Sequence, residues 1–223
     1  MIGPPGAGKG TQSDKIANFF KLQKISTGVL LRDEISKKTD LGNKIKSIIE
    51  KGSLVSDDIT NNLIIKILSN KNFFNRLIFD GYPRNLDQAK NLDILLKKYD
   101  QKISCVFILK VDKELIIKRI LGRQTCSKCG LIFNDYFNPS TVQNHPCGNK
   151  FLVKRSDDNE NTILQRYETY LKKTLPIINY YKKLKLHHEL DGKAEINQIF
   201  EKISQIIASL EAWLYKPYLY IYR

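Results

Sequence analysis

The chain begins MIGPPGAGKGTQ, and residues 3–11 constrain its fold more than any other stretch. A backbone that wraps phosphate groups must turn tightly and aim successive N–H groups inward. Glycine supplies the torsions and lets phosphate oxygens approach closely. Gly3, Gly6, Gly8, Lys9 and Thr11 meet that demand. The following helix adds the partial positive charge of its N-terminus, and Lys9 is placed to reach outer phosphates. The pattern G-x-x-x-x-G-K-[ST] is met at Gly3, Gly8 and Lys9, with Gly10 at the Ser/Thr position and Thr11 one later. Such a loop hangs from a buried strand and opens into a helix. Here only Met1 and Ile2 precede it.

The rest of the chain alternates between two periodicities. RLIFD (76–80), SCVFILKV (104–111) and HHELD (187–191) read as short buried strands. Helical spacing runs through 9–20, with Ile16, Phe19 and Phe20 on one face. It recurs in 41–50, through Leu41, Ile45, Ile48 and Ile49, with Gly52 as the stop. Ser56 is placed to cap a helix through Ile59, Leu63, Ile64 and Ile67. Further helices fit 86–98, 113–121, 160–173 and 194–210. Strands alternating with helices imply a parallel sheet covered on both faces. Residues 122–158 break the rhythm with CSKCG, FNP, HPCGN and KRSDD, and a stretch of that length is functional or separately stapled.

Composition narrows the partners. With 223 residues and 42% hydrophobic content the chain can bury a sizeable core as one domain with insertions. No apolar run reaches the ~18 residues of a membrane helix, and Gly3 and Pro4 stand where a secretory segment would be apolar. A cytosolic protein with no membrane partner is expected. The net charge of +14 comes mostly from Lys spread along amphipathic stretches, which predicts a solvated basic surface rather than a nucleic-acid partner. Cys126 and Cys129 form a Cys-x-x-Cys pair, which in a cytosolic chain favours metal or redox chemistry, whereas Cys105 lies in an apolar run as a core thiol.

ISTGVLLR (25–32), GSLVSDD (52–58), FDGYPRNLDQA (79–89), ILGRQTCSKCG (120–130) and RSDDNENTILQRYETY (155–170) occur in that order. Together with GPPGAGKGTQ they resemble the adenylate kinase family in its bacterial, long-lid form, over residues 1 to about 210. Gly-Lys-Gly-Thr is that family's own version of the loop, so Gly10 fits. The resemblance implies a P-loop α/β/α fold in three layers with a central parallel sheet. It implies a core of residues 1–25, 56–121 and 159–210, a nucleoside-monophosphate lobe at 26–55 and a lid at 122–158, leaving 211–223 as an atypical tail.

The implied reaction is reversible phosphoryl transfer, MgATP + AMP = 2 ADP, by positioning and electrostatics. By resemblance, Gly6, Ala7, Gly8, Lys9, Gly10 and Thr11 hold the ATP phosphates, and Arg119 and Arg123 face the ATP side. Arg32 and Arg84 hold the AMP phosphate, and Arg155 and Arg166 close over the transferred group. Arg suits these places because its planar fork pairs with phosphate oxygens and stays charged. Asp80 organises water on Mg2+ and joins Lys9, Arg84, Arg123, Arg155 and Arg166 as the catalytic set. Thr27, Ser53, Leu54, Val55, Gln88 and the run Gly81, Tyr82, Pro83, Arg84 match AMP contacts. Ile132 and Phe133 match positions that sandwich the ATP base, with plain packing as the other reading of Phe133.

Relatives with a zinc lid supply a second Cys pair after FNP. This chain departs from that pattern and offers Cys147 alone, with His145 as the candidate fourth ligand of a structural Zn2+. One residue between two ligands, with Pro146 fixing the backbone, is an awkward geometry, and a lid held by packing alone is the alternative. The family's first strand supplies several apolar residues ahead of the loop. Their absence here leads to the expectation that the true start lies upstream and that the loop is loosely held. A monomer is expected. The rival readings are another nucleoside monophosphate kinase, such as one using GTP with AMP, and a nucleotide-binding relic.

Overall fold

The computed structural model describes residues 1–69 and 74–219, and of 211–219 the backbone alone. Helix α1 (Lys9–Phe20) follows the glycine-rich loop and leads into β1 (Gln23–Ser26). Then come α2 (Thr27–Ser36), α3 (Asp40–Glu50), α4 (Asp57–Leu68), β2 (Leu77–Asp80), α5 (Leu86–Lys98), β3 (Val106–Lys110) and α6 (Lys113–Leu121). The short strands β4 (Arg123–Cys126), β5 (Ile132–Asn134) and β6 (Leu152–Val153) precede α7 (Glu160–Thr169), α8 (Leu175–Lys183), β7 (His187–Asp191) and α9 (Ile196–Leu219).

β1 pairs in parallel with β2, Ile25 opposite Phe79, and β3 pairs in parallel with β7, Ile108 opposite Glu189. The two residues ahead of the loop fill the gap between these pairs. The Ile2 N–H donates to the Phe107 carbonyl at 2.8 Å, and its carbonyl accepts from Leu109 N–H at 2.9 Å. On the other side the Met1 amino group donates to the Phe79 carbonyl at 2.8 Å. The spatial order is therefore β1, β2, residues 1–2, β3, β7. The expectation of a loosely held loop is corrected: the loop is anchored on both sides at the sheet's centre, with Ile2 only 3% exposed.

Period-2 alternation divides the strands between two cores. Ile78, Phe107 and Leu109 pack with Ile16, Ala17, Ile199 and Ile203 under α1 and α9. Phe79 packs with Ile64, Leu92 and Leu96 under α4 and α5, and Val106 and Ile108 pack with Ile177, Ile178 and Tyr181 of α8. This is the three-layer α/β/α arrangement that the alternating pattern implies. Residues 122–158 instead carry a small antiparallel sheet in the order β5–β4–β6.

Several local features have plain causes. The Thr39 and Asn85 side chains accept from Gly42 N–H and Gln88 N–H at 3.0 and 2.8 Å, capping α3 and α5. Gly52, at φ +70°, closes α3 as expected, with its N–H on the Ile49 carbonyl at 2.9 Å. Ser56 stands at the start of α4, but its side chain makes no capping bond. β1 and α2 escape the periodic reading because QKIS contains a single apolar residue and α2 starts with no gap after it. α8 escapes because Pro176 reads as a breaker. Pro176 lies in the first turn, where the missing N–H costs nothing, and a π-turn at Tyr170–Thr174 joins α7 to α8. α9 continues past residue 210 to Leu219; the aromatic side chains of the tail and all of 220–223 lie outside the described residues. Among the described residues no helix is long and apolar enough to cross a membrane.

Candidate active site

A cavity opens at the C-terminal edge of the sheet, where open α/β sheets hold ligands. Its floor is the loop Gly6–Thr11. Gly6 and Gly8 have φ of +74° and +91°, which L side chains rarely adopt, and a Cβ on Gly6 would meet Ile120 Cγ1 at 2.7 Å. The loop thus needs glycine both to turn and to lie against α6.

Around this floor stand cations. Arg32 comes from α2, Arg84 from the turn after β2, Arg119 from α6, Arg123 from β4, Arg155 from beyond β6 and Arg166 from α7. Lys9 Nζ donates to the Gly3 and Pro4 carbonyls at 2.8 and 2.7 Å. Burial pulls its pKa down to about 7; Asp80 opposes the shift, while Arg84, Arg166 and Arg123 add to it. Burial also lowers Arg32, Arg84 and Arg166, and takes Arg155 down to about 9 with Arg123 and Arg32 adding to the effect. Burial thus disfavours the charged forms of these cations, and a polyanion in the cavity would favour them.

Carboxylates hold part of the set. Asp158 takes Arg123 and Asp157 takes Arg166 as close ion pairs. Burial would raise Asp157, yet Arg166, Arg123, Arg155 and Arg32 hold it below the usual carboxylate range. Asn159 caps α7, its side chain accepting from Thr162 N–H at 3.0 Å. Asp80 ends β2 at the cavity wall and accepts from the Ser26 hydroxyl at 3.3 Å.

Of the other residues singled out in the sequence, Ile132, Phe133 and Gly81 line this cavity. Leu54 and Pro83 line an adjoining cleft with Arg84, Arg166 and Tyr170. Thr27, Tyr82 and Gln88 stand behind the walls. Thr27 donates to the Gly81 carbonyl at 2.8 Å, Tyr82 to Asn61 Oδ1 at 2.7 Å, and Gln88 Oε1 accepts from Arg84 N–H at 2.7 Å. Val55 is buried with Leu31 and Ile45, and Ser53 is exposed. Phe133 is 5% exposed and its ring centre lies 4.6 Å from that of His145, so packing accounts for much of its environment. Sequence reasoning missed Phe137, which lines the cavity with the Arg119 guanidinium 5.6 Å from its ring centre. The aromatic run YFNP was the available signal.

The donors of Cys126, Cys129, His145 and Cys147 lie within 4.8 Å of one another. The expected difficulty at His145-Pro-Cys147 is removed by a turn in which His145 N–H bonds the Thr141 carbonyl at 2.9 Å. Ser140 Oγ lies 2.8 Å from His145 Nδ1, while Nε2 is buried with no hydrogen-bond partner among the described residues. Burial pushes the Cys126 thiol up, but the N–H groups of Cys129 and Lys128, each 3.4 Å from Sγ, lead the effects that bring it down to about 6. Three sulfurs and an orphaned imidazole nitrogen are a donor set suited to Zn2+.

A phosphate loop at the sheet's edge, ringed by buried arginines, defines a nucleotide-binding phosphotransferase. The adenylate kinase family profile matches residues 1–186. An adenylate kinase of Pelagibacter ubique is 46% identical over 207 residues, 93% of this chain and 97% of the relative. Those of Clostridium kluyveri and Fervidobacterium nodosum are 39% and 37% identical, covering 94% and 95% of this chain and 97% of each relative. The chain belongs to the adenylate kinase family. Members of that family bind ATP, taken with Mg2+, and AMP.

Proposed function

We propose that the cavity divides MgATP + AMP = 2 ADP among its residues as follows. Lys9 and the N–H groups of Gly6–Thr11 take the outer phosphates of ATP. Arg119 and Phe137 flank the donor base, with Ile132 beside them. Arg32 and Arg84 take the AMP phosphate, with Leu54 and Pro83 along its cleft and Thr27 and Gln88 bracing Gly81 and Arg84. Arg123, Arg155 and Arg166 neutralise charge spread over the transferred group, and Asp80 orders water around the Mg2+ that arrives with ATP. Residues 26–55 serve as the acceptor lobe and 122–158 as a lid whose closure excludes water. The reading is carried by one observation: buried cations from separate elements converge on the loop, where burial first, and then their neighbours' charge, lowers their pKa values. We further read a cytosolic monomer whose lid is stapled by one structural Zn2+ on Cys126, Cys129, His145 and Cys147.

A panel of nucleoside triphosphate donors and monophosphate acceptors tests the assignment. ATP with AMP is expected to exceed every other pair by about a hundredfold in kcat/KM. A preference for GTP as donor, or for UMP or CMP as acceptor, contradicts it.

The state of Lys9 gives a second test. Its pKa without nucleotide lies below 10.5, so protonation disfavours the folded state. The stability it contributes is present above pH 10.5 and is lost as pH falls through about 7. Phosphate restores its charge. ATP binding is therefore expected to take up protons through Lys9 at pH 8 and not at pH 6, read by calorimetry in buffers of different ionisation enthalpy. Equal uptake at both pH values, or its persistence in Lys9→Met, contradicts this role.

A further inference from the structure

β1 presents Lys24 and Ser26 on one face, two residues apart. Ser26 lies opposite Asp80 in the β1–β2 register and donates to Asp80 Oδ2 at 3.3 Å. Lys24 Nζ stands 3.7 Å from that same oxygen. Its tighter partner is on α1: Asp14 Oδ1 accepts from Nζ at 2.7 Å, and the Gly10 carbonyl lies at 3.5 Å. The Lys24 side chain is 18% exposed and that of Asp80 12%, so water screens their attraction only in part. Lys9 lines the same cavity as Asp80. Asp14, Lys24 and Asp80 thus form a row with the net charge of Asp80 alone, and Lys24 is held between two carboxylates that compete for it.

We propose that Lys24 is a positioning residue that sets how firmly Asp80 holds the hydrated Mg2+ of MgATP, with Asp14 as the counter-charge that restrains it. This rests on the reading of Asp80 as the organiser of that ion. An ammonium and a hydrated dication compete for one carboxylate. With Asp14 drawing Nζ to 2.7 Å, Asp80 stays available; without Asp14, Lys24 turns its full charge on Asp80 and displaces the dication's water shell.

The test is Mn2+ binding to the enzyme–ATP complex, read by electron paramagnetic resonance, beside the free Mg2+ needed for half-maximal ADP formation. Asp14→Asn is expected to weaken Mn2+ binding about tenfold. Lys24→Met is expected to tighten it about threefold, and the double variant to return near the parent. Lys24→Arg, which keeps the charge, is expected to stay within twofold of the parent. A merely structural role would lower the thermal midpoint and shift both single variants in the same direction, or neither. That outcome overturns the proposal while leaving Asp80's role intact if Asp80→Asn still weakens Mn2+. If Asp80→Asn changes nothing, the reading of Asp80 and this proposal both fall.

Discussion

Replacing Lys9 by Met is expected to lower kcat for ADP formation about a thousandfold while leaving the thermal midpoint unchanged or higher. A positioned donor to the charge of the transition state is worth about 10²–10³ in rate, and the role proposed for Lys9 adds neutralisation of phosphate charge in the ground state. The stability half follows from its surroundings. Among the described residues its ammonium bonds the Gly3 and Pro4 carbonyls, and burial, with nearby arginines adding to it, takes its pKa to about 7. An ammonium in that position costs folding free energy, and Met fills the same length without the charge. A rate loss under tenfold, or a midpoint several degrees lower, contradicts the account of Lys9.

The second large effect belongs to the four-donor cluster. The purified chain is expected to carry one zinc, and Cys126→Ser or exhaustive chelation to lower the thermal midpoint by roughly 10 °C. Residues 122–158 have little core of their own. Cys126, Phe133 and His145 are buried, whereas Tyr136 is 62% and Val142 90% exposed. A unit with so few buried apolar groups needs a staple. Removing the ion also leaves His145 Nε2 buried and unpaired, at ~1–3 kcal/mol. A total loss of ~3–5 kcal/mol, at about 2–4 °C per kcal/mol for a chain of this size, gives the expected shift. A metal-free chain with the same midpoint after Cys126→Ser would leave packing alone as what holds the segment.

Much of this was legible in the residues because the chemistry restricts them. Gly6 and Gly8 are required by backbone torsion, and Lys9 and the arginines by charge, so their order along the chain outlined the cavity. What escaped depended on neighbours distant in sequence. QKIS becomes a strand because β2 pairs with it, and Pro176 is tolerated because it falls in a first turn. Phe137 is exposed and unremarkable until α6 brings Arg119 beneath its ring. Met1 and Ile2 join the sheet through hydrogen bonds to β2 and β3, which the short apolar start does not reveal. Lys24 reads as one more lysine in a basic chain; only the β1–β2 register sets it against Asp80.

The most direct measurement follows the fate of the γ-phosphate. ATP labelled there, incubated with Mg2+, AMP and the 223-residue chain, is expected to yield two ADP per turnover, with the label in the β-position of the ADP made from AMP. Label released as inorganic phosphate would mean that the cavity admits water as acceptor, and label that stays on ATP would mean that it binds nucleotide without transfer. Either result contradicts the claim that these converging cations carry a phosphoryl group between two nucleotides.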